Sequence, residues 1–165
     1  IKLVVKSNKK LPKGHPAEYN VYPKELKDPY KGRRFKCGED LYSILKIGRE
    51  EKEKRRQQFS KNFKMFGAPV GIFVFIDREM GPPQWSDVGM YLQNVFLLSK
   101  EYGLDTCAQE CWSIFHELVQ KYVGAPSNLM LFCGIAMGYM DTDNPINSLR
   151  TERAPIEEIS DFIGF

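Results

Sequence analysis

The last third of the chain contains the segment that most constrains the fold. Residues 128–139 read Asn-Leu-Met-Leu-Phe-Cys-Gly-Ile-Ala-Met-Gly-Tyr, a continuous apolar run. Such a run is typical of a strand that is buried on both faces, because a half-exposed strand alternates apolar and polar residues. The sequence therefore predicts an interior strand, which ends at the polar turn around Pro145.

A pair of arginines, Arg150 and Arg153, follows that turn, next to Ala154-Pro155. Both guanidinium groups are always charged and can bond bidentately, so two arginines three residues apart can converge on one phosphate. Surface arginine pairs are more often solvated or paired with a neighbour, here Glu152. From the residues alone, an anion site and an ordinary solvated pair are both open.

The rest of the chain divides into segments with recognisable patterns. Strands are predicted at residues 1–5, 70–76 and 104–112, and helices at 39–47, 50–66, 84–102 and 114–123. The polar, Pro- and Lys-rich residues 7–38 are predicted as a connection whose aromatic side chains (Tyr19, Tyr22, Tyr30, Phe35) pack on the remainder. The mixture of strands and helices predicts an α+β protein.

Two of these helices have distinctive faces. In the helix at 50–66, charged residues form a solvated face and Phe59, Phe63 and Phe66 an inner one. The helix at 84–102 is apolar around most of its circumference. A helix of this kind is usually buried on more than one side, either in a domain centre or at a subunit interface.

Length and composition exclude several classes. A chain of 165 residues favours one domain, and a net charge of +3 from 24 basic and 21 acidic residues is too balanced to indicate nucleic acid as the main partner. No apolar stretch is long enough for a membrane span. Four cysteines without CxxC spacing and only two histidines indicate no metal site and favour free thiols, hence a cytoplasmic location.

Six pieces of the chain resemble the FMN-dependent nitroreductases, in particular the branch that acts on nitroaromatic compounds. The resemblance spans most of the chain in order, and the set is more specific than any one piece. The pieces are Tyr22-Pro-Lys-Glu-Leu26, Arg33-Arg-Phe35, Gly38-Glu-Asp-Leu-Tyr42, Phe66-Gly-Ala-Pro-Val-Gly71, Gly103-Leu-Asp-Thr-Cys-Ala-Gln109, and Gly138-Tyr139 with Asn147-Ser-Leu-Arg-Thr-Glu-Arg-Ala-Pro155.

The resemblance implies a nitroreductase-like fold, in which helices flank a central, mostly antiparallel sheet in three α/β/α layers. It implies one domain over residues 1–165 that lacks an N-terminal flavin-binding segment, which in relatives would lie before Ile1. It also implies a homodimer with FMN at the interface, and the long helix at 84–102 suits the dimer core.

The resemblance also implies site residues. In relatives, the segment matching Thr106 to Glu110 lies against the isoalloxazine ring, so Cys107, Ala108, Gln109 and Glu110 are expected to bind the cofactor through main-chain N–H groups. Arg153 matches a residue that contacts the FMN phosphate, and Arg150 is expected to help it. Without the resemblance, Cys107 and Gln109 would be interpreted as an ordinary strand end.

The implied activity is hydride transfer from NAD(P)H through the flavin to a nitroaromatic or quinone-type acceptor. This chemistry needs no protein nucleophile or metal, so no catalytic side chain and no metal ligand are predicted. His116 is expected to be a surface or capping residue. Tyr30, Phe35, Tyr42 and Trp85 can shape an acceptor pocket, but core packing is the favoured role for each.

Three alternatives stay open. A flavoenzyme of the same fold with another acceptor, such as a dehalogenase, would share every motif. A flavin-free binding protein would keep the fold but not the cofactor. A nucleic-acid-binding domain would use the basic residues of the early segment (Lys9, Lys10, Lys13, Arg33, Arg34), and it ranks last because these charges do not form a continuous face.

Overall fold

A computed structural model describes residues 16–164, and the strand predicted at residues 1–5 lies outside the described residues. Five α-helices are described: α1 (Tyr30–Ile44), α2 (Lys52–Ser60), α3 (Pro82–Glu101), α4 (His116–Val123) and α5 (Ile156–Ile159). Three strands accompany them: β1 (Val70–Asp77), β2 (Asp105–Gln109) and β3 (Leu129–Gly138). Turns of 3₁₀-helix occupy Lys61–Gly67, Glu110–Phe115 and Pro145–Ser148. The predicted α+β class is confirmed.

The strands form a three-stranded antiparallel sheet in the order β1-β3-β2. The central strand β3 lies within the continuous apolar run at residues 128–139, and seven of its ten residues are buried. Its pairing with β1 aligns Val70 with Met137 and shifts register once, between Val74 and Phe75. Its pairing with β2 aligns Asp105 with Gly138 and Gln109 with Gly134. The prediction of an interior strand is confirmed.

Both faces of the sheet are covered. Alternate residues of β1 point to opposite faces of the sheet. Phe73 and Phe75 pack against an apolar cluster on one face, and Ile72 and Val74 pack against a second cluster on the other face. The first cluster contains Phe63 and Trp112, from the 3₁₀ turns Lys61–Gly67 and Glu110–Phe115, and Val119 from α4. The second contains Leu92 of α3. The sheet is thus sandwiched between helical layers, because both of its faces are apolar.

Trp112 is the centre of the first cluster. It is 2% exposed, and its indole makes edge contacts with Phe63 at 5.3 Å and Phe73 at 5.1 Å between ring centroids. It also lies directly on β3 at Gly134, where an added Cβ would be only 2.4 Å from the indole Cδ1. The tryptophan can lie flat against the central strand only because this residue has no side chain.

Tyr19 anchors the segment before α1 to strand β3 and helix α3. Its hydroxyl donates a hydrogen bond to the main-chain oxygen of Phe132, and its ring lies 5.3 Å from that of Trp85. Burial, followed by the nearby Glu110, raises the pKa of Tyr19 to about 12. The favoured packing role of Trp85 is confirmed, since it also packs edge-on against Phe132 at 5.6 Å.

Two helix predictions were wrong in their bounds. The first helix begins at Tyr30, inside the predicted connection, because the Asp28 carboxylate accepts a hydrogen bond from the Gly32 N–H at 2.9 Å and starts the helix early. Tyr30 and Phe35 of that helix are 64% and 57% exposed, so they do not pack as predicted.

The second helix ends at Ser60 instead of Phe66. Beyond it the backbone turns through left-handed conformations at Met65 (φ 50°) and Phe66 (φ 52°). This turn buries Met65 and leaves Phe66 46% exposed, whereas Phe63 is buried as predicted. Phe59 is also 46% exposed, so only one of the three predicted inner phenylalanines is in the core.

The long helix α3 is buried on one side only. Leu92 and Ser99 are its buried residues. Four large apolar side chains on it are at least 59% exposed: Met90, Tyr91, Leu97 and Leu98. Burial in a domain centre is therefore wrong for this helix within the described chain, and the subunit-interface alternative stays a prediction.

Contacts within the chain divide it into two compact units. Among the described residues, the first contains residues 16–24 and Lys52–Met140, and the second contains Glu25–Glu51 and residues 141–164. The prediction of a single domain stays a prediction. The four cysteines are free, and no helix of residues 16–164 has the length and apolar character that a bilayer crossing requires.

Replacing Gly134 with alanine tests the contact with Trp112. The added methyl group collides with a buried indole, so we expect the free energy of unfolding to fall by about 1–3 kcal/mol. Chemical denaturation followed by tryptophan fluorescence measures this. The matched control is Gly38→Ala in α1, where an added Cβ meets no atom within 4 Å and should raise helix stability. Equal effects of the two substitutions would contradict the packing argument.

Candidate functional site

The predicted ring-binding segment is the edge strand β2 and the residue after it. Only β3 pairs with β2 in the described sheet, so the outer edge of β2 has no ladder partner there. An edge strand leaves alternate main-chain N–H and C=O groups unpaired. Cys107 and Ala108 are exposed on this strand, and Glu110 is exposed just beyond it. A planar ligand with acceptor atoms along one side can therefore reach the backbone here.

Gln109 differs from its neighbours because its side chain points into the core. The residue is 2% exposed. Its amide nitrogen donates to the main-chain oxygen of Asn62 at 3.0 Å, and its amide oxygen accepts from the Trp112 indole at 3.2 Å. This amide is fully occupied, so only the main chain of Gln109 is available to a ligand.

An ion pair supports the beginning of β2. The Asp105 carboxylate accepts a hydrogen bond from Lys100 and another, at 3.1 Å, from the main-chain N–H of Met140. The Lys100 ammonium, helped by the Met140 N–H, holds the pKa of Asp105 below its ordinary value. These bonds join α3, β2 and the end of β3, so the strand edge is held in place from its first residue.

The thiols of this region are not activated nucleophiles. Surrounding protein atoms raise the pKa of Cys107 above its ordinary value, although part of the residue is exposed. Burial, and then the neighbouring Cys107, raise the pKa of Cys111 to about 12. Both side chains are protonated thiols at neutral pH, and a thiol is a poor nucleophile. The strand edge offers main-chain hydrogen bonds instead of covalent chemistry.

His116 was expected at the surface or as a cap; the surface alternative is wrong, whereas the residue does occupy the C-cap position of the 3₁₀ turn Glu110–Phe115. It is buried at 9% exposure, as the first residue of α4. Its Nδ1 lies 3.6 Å from the Glu18 carboxylate, which also pairs with Arg78. Glu18 thereby links the segment before α1 to the start of α4 and to the turn after β1, which is a structural role.

The predicted arginine pair lies in the second unit, and both side chains are exposed. Arg150 donates to the main-chain oxygens of Asn147 at 3.0 Å and Leu149 at 2.9 Å. Arg153 donates to the main-chain oxygen and the hydroxyl of Thr151. These bonds use only one terminal nitrogen of each guanidinium group.

A cavity of about 360 Å³ lies beside Arg153 within the second unit. Helix α1 contributes Arg33 and Lys36 to its lining, and the C-terminal segment contributes Glu152 and Glu158. Arg150 does not line it. Arg33 and Lys36 were not predicted to line a cavity, because residues 7–38 were interpreted as an irregular connection. On a helix they are one turn apart and share a face.

Two other predictions concern ligands of different kinds. Within residues 16–164, no group of three or more His, Cys, Asp or Glu side chains is placed to hold a metal ion. For the nucleic-acid alternative, Lys9, Lys10 and Lys13 lie outside the described residues, and Arg33 is paired with Glu158 at 2.7 Å.

Comparison with known proteins identifies related sequences. A model of the nitroreductase family matches residues 17–139. The chain is 31% identical over 159 residues to a nitrobenzene nitroreductase of Ectopseudomonas oleovorans, covering 96% of this chain and 70% of that protein. It is 32% identical over 143 residues to a 4-nitrobenzoate reductase of Pseudomonas putida, covering 87% and 63%. The chain thus spans about two thirds of the length of these relatives.

Comparison of folds gives a similar result. A crystal structure of an FMN and NADPH-dependent nitroreductase, NfnB from Sphigopyxis sp. strain HMH, matches with a TM-score of 0.88 and 44% sequence identity. The match covers 91% of this chain and 67% of that one. The fold and the family expected from the sequence motifs are confirmed.

Replacing Gln109 with leucine tests whether its side chain is structural. The buried Trp112 N–H would lose its acceptor, so we expect the free energy of unfolding to fall by about 1–3 kcal/mol. Urea denaturation measures this. Gln57→Leu is the control, because Gln57 is exposed on α2 and such substitutions usually change stability by less than about 0.5 kcal/mol. If both variants unfold like the unmodified protein, the Gln109 amide does not hold the core.

Proposed function

Since this chain belongs to the nitroreductase family, whose model matches residues 17–139, we propose that it is an FMN-dependent oxidoreductase. The proposed reaction passes hydride from NAD(P)H to a nitroaromatic or quinone-type acceptor. Relatives described as a nitrobenzene nitroreductase and a 4-nitrobenzoate reductase support the acceptor class. The solved structure described as FMN and NADPH-dependent supports the cofactor and the co-substrate. Because the chain spans about two thirds of these relatives, the activity is proposed for the whole protein.

The observation that carries the proposal is the open edge of β2. A flavin ring is planar and has hydrogen-bond acceptors along one side, and the exposed Cys107 and Ala108 leave the backbone accessible to such an edge. The residues present therefore fit the ring. We propose that the ring lies against Cys107, Ala108, Gln109 and Glu110, and that the donors are those of their main-chain N–H groups that face the outer edge of the strand. The Gln109 side chain is excluded from this role by its bonds to Asn62 and Trp112.

The second unit is proposed to hold the phosphate of FMN. Arg153 and Arg150 are exposed, and each guanidinium carries five N–H donors, of which the bonds to neighbouring main-chain oxygens use only some. Arg153 is the principal donor in this proposal because it lines a cavity. A charge-assisted bond is worth about 1.5–3 kcal/mol, so further donors must take part in holding the cofactor.

When bound, FMN supplies the hydride chemistry, which the described residues cannot perform themselves. The protein contributes donors that face the ring, where they stabilise negative charge that develops on reduction. The protonated Cys107 thiol beside them adds no competing negative charge. No catalytic side chain is assigned in this proposal.

The cellular location is part of the proposal. The four cysteines are free, including the exposed Cys37 and Cys107. Unpaired, exposed thiols persist in a reducing compartment. We therefore propose that the protein works in the cytoplasm.

We also propose a homodimer, in which the exposed face of α3 packs against a second copy. Met90 and Leu97 are seven residues apart, as are Tyr91 and Leu98, so these side chains form a stripe along one side of the helix. They are 59–63% exposed. The stripe is interrupted only by Asn94, and so many exposed apolar side chains on one helix are an unfavourable surface in water, which a matching copy would cover.

The flavin proposal predicts a yellow protein. After incubation with FMN and removal of the excess, we expect visible flavin absorption bands that bleach when NADPH is added without oxygen and return when 4-nitrobenzoate is added. Free FMN at the same concentration is the control. A colourless protein that takes up no FMN would contradict the proposal. Halide release from a halogenated phenol, without reduction of the nitro compound, would replace the proposed acceptor with that of a dehalogenase.

The dimer proposal predicts the effect of a charge on α3. Leu98→Glu should convert the dimer to a monomer at micromolar concentration, because a carboxylate would be buried without a partner. Light scattering after size-exclusion chromatography measures the mass. The control is Gln57→Glu, which adds the same charge at an exposed position of a different helix, α2. A monomer before substitution, or dissociation by both variants, would contradict this interface.

A further inference from the structure

Helix α2 and the residue after it concentrate the net positive charge of the protein. Residues 52–61 contain five cations and one carboxylate, which is a net charge of +4. The whole chain has a net charge of +3, so the other 155 residues together carry −1. The cations are Lys52, Lys54, Arg55, Arg56 and Lys61, and the carboxylate is Glu53.

Packing explains little of the sequence of α2. The helix has nine residues and none of them is buried. Phe59 attaches it to the core through an edge contact with Phe63, at 5.7 Å between ring centroids. A short helix that is polar on every side is marginal by itself, because most helical stability in proteins comes from burying an apolar face. The residue types of α2 therefore serve something other than the core.

The spacing of the cations also works against the helix. Lys52 and Arg56 are four residues apart, so they are neighbours on one side of α2, and like charges at this spacing repel. Arg56 pairs with Glu53 at 2.7 Å, but these side chains are 66% and 61% exposed, and such pairs add little stability. Residues that break a local rule of this kind are expected at functional surfaces.

Phe59 lies on the same side of α2 as these two cations. It follows Lys52 by seven residues and Arg56 by three, which places all three side chains on one face. All three are exposed, and Phe59 is 46% exposed although it touches the core. We call Lys52, Arg56 and Phe59 the basic face. Cations around an exposed aromatic ring are typical of helices that lie on lipid headgroups, where the cations meet phosphates and the ring enters the acyl boundary.

Among polyanions, an anionic lipid surface fits the basic face best. The face is the convex side of a helix about 13 Å long, and it offers one aromatic ring. Proteins that bind single-stranded nucleic acid use a groove with several rings on which successive bases stack. A bilayer surface is flat and requires no complementary shape, so a convex face with cations and one ring is sufficient for it.

We propose that α2 docks the protein on bilayers that contain anionic phospholipids, through the basic face. Lys52 and Arg56 contact headgroup phosphates, and the ring of Phe59 enters the boundary below them. This inference goes beyond the proposed function and does not depend on the flavin site. It suits the proposed cytoplasmic location, because the cytoplasmic leaflet has a negative surface potential. It also suits quinone-type acceptors, since apolar molecules concentrate in bilayers.

Sedimentation with lipid vesicles tests the proposal. The vesicles contain equal amounts of phosphatidylglycerol and phosphatidylcholine, or phosphatidylcholine alone. We expect binding to the anionic vesicles at about 0.1 M salt and its loss at about 1 M, because the Debye length falls from about 10 Å to about 3 Å. Lys52→Gln combined with Arg56→Gln should weaken binding about thirty-fold, since each cation near an anionic surface contributes about five-fold.

The matched control is Lys31→Gln combined with Lys121→Gln. These lysines are exposed on α1 and α4, so the control removes the same charge away from the basic face and should stay within about two-fold of the unmodified protein. Phe59→Ala should weaken binding about ten-fold and leave its salt dependence unchanged, because it removes an apolar contact. Circular dichroism verifies that each variant is folded.

Several outcomes would overturn the proposal. These are equal binding to both kinds of vesicle, binding that persists at high salt, and equal weakening by the control pair and by the Lys52 and Arg56 pair. Tighter binding of an oligonucleotide or of polyglutamate at the same salt, weakened by the same two substitutions, would assign the basic face to another polyanion. Flavin uptake and nitro reduction should be unchanged in the Lys52 and Arg56 variant, so loss of docking is distinguishable from failure of the proposed function.

Discussion

The contact between Trp112 and Gly134 is the constraint on which the first unit depends. A central strand that is covered on both faces must accept close-packed side chains, and here the largest of them lies directly on the backbone. From that position the indole contacts Phe63 and Phe73 and receives a polar partner from Gln109. The same side chain thus joins β3, the preceding edge strand and the turn after α2, which are distant in sequence.

This arrangement explains why β2 can offer its backbone to a ligand. The Gln109 side chain is turned inward to satisfy the Trp112 N–H and to bond with Asn62, which fixes the last residue of the strand. Lys100 and Met140 fix its first residue through Asp105. With both ends held by side-chain bonds, the small exposed residues Cys107 and Ala108 present a rigid row of main-chain groups. A rigid row of donors loses little entropy on binding.

The sequence predicted strands β1 and β3 better than helices α1 and α2, for physical reasons, whereas the predicted strand at 104–112 was too long because residues 110–112 belong to a 3₁₀ turn. The bounds of β1 and β3 were within one residue at each end, because continuous apolar runs have no other stable placement. Helix α1 was missed in its first half because Gly32, Gly38 and six charged or polar neighbours hide the helical period, and its own helical preference is weak. The exposure of Phe66 depends on left-handed backbone conformations that its residue type does not favour. The ring-binding segment was found only through the family resemblance, since Cys107 and Ala108 by themselves suggest nothing but a strand end.

The charged cavity shows why an anion site of this kind is hard to find in a sequence. Two of its cations come from α1, whereas Arg153 and the carboxylates come from a segment more than a hundred residues later, such as Glu158 opposite Arg33. Counted along the chain, these charges are ordinary and nearly balanced. In the folded unit the carboxylates hold Arg33 and Lys36 in place, so the cost of ordering these long side chains is met before any ligand arrives.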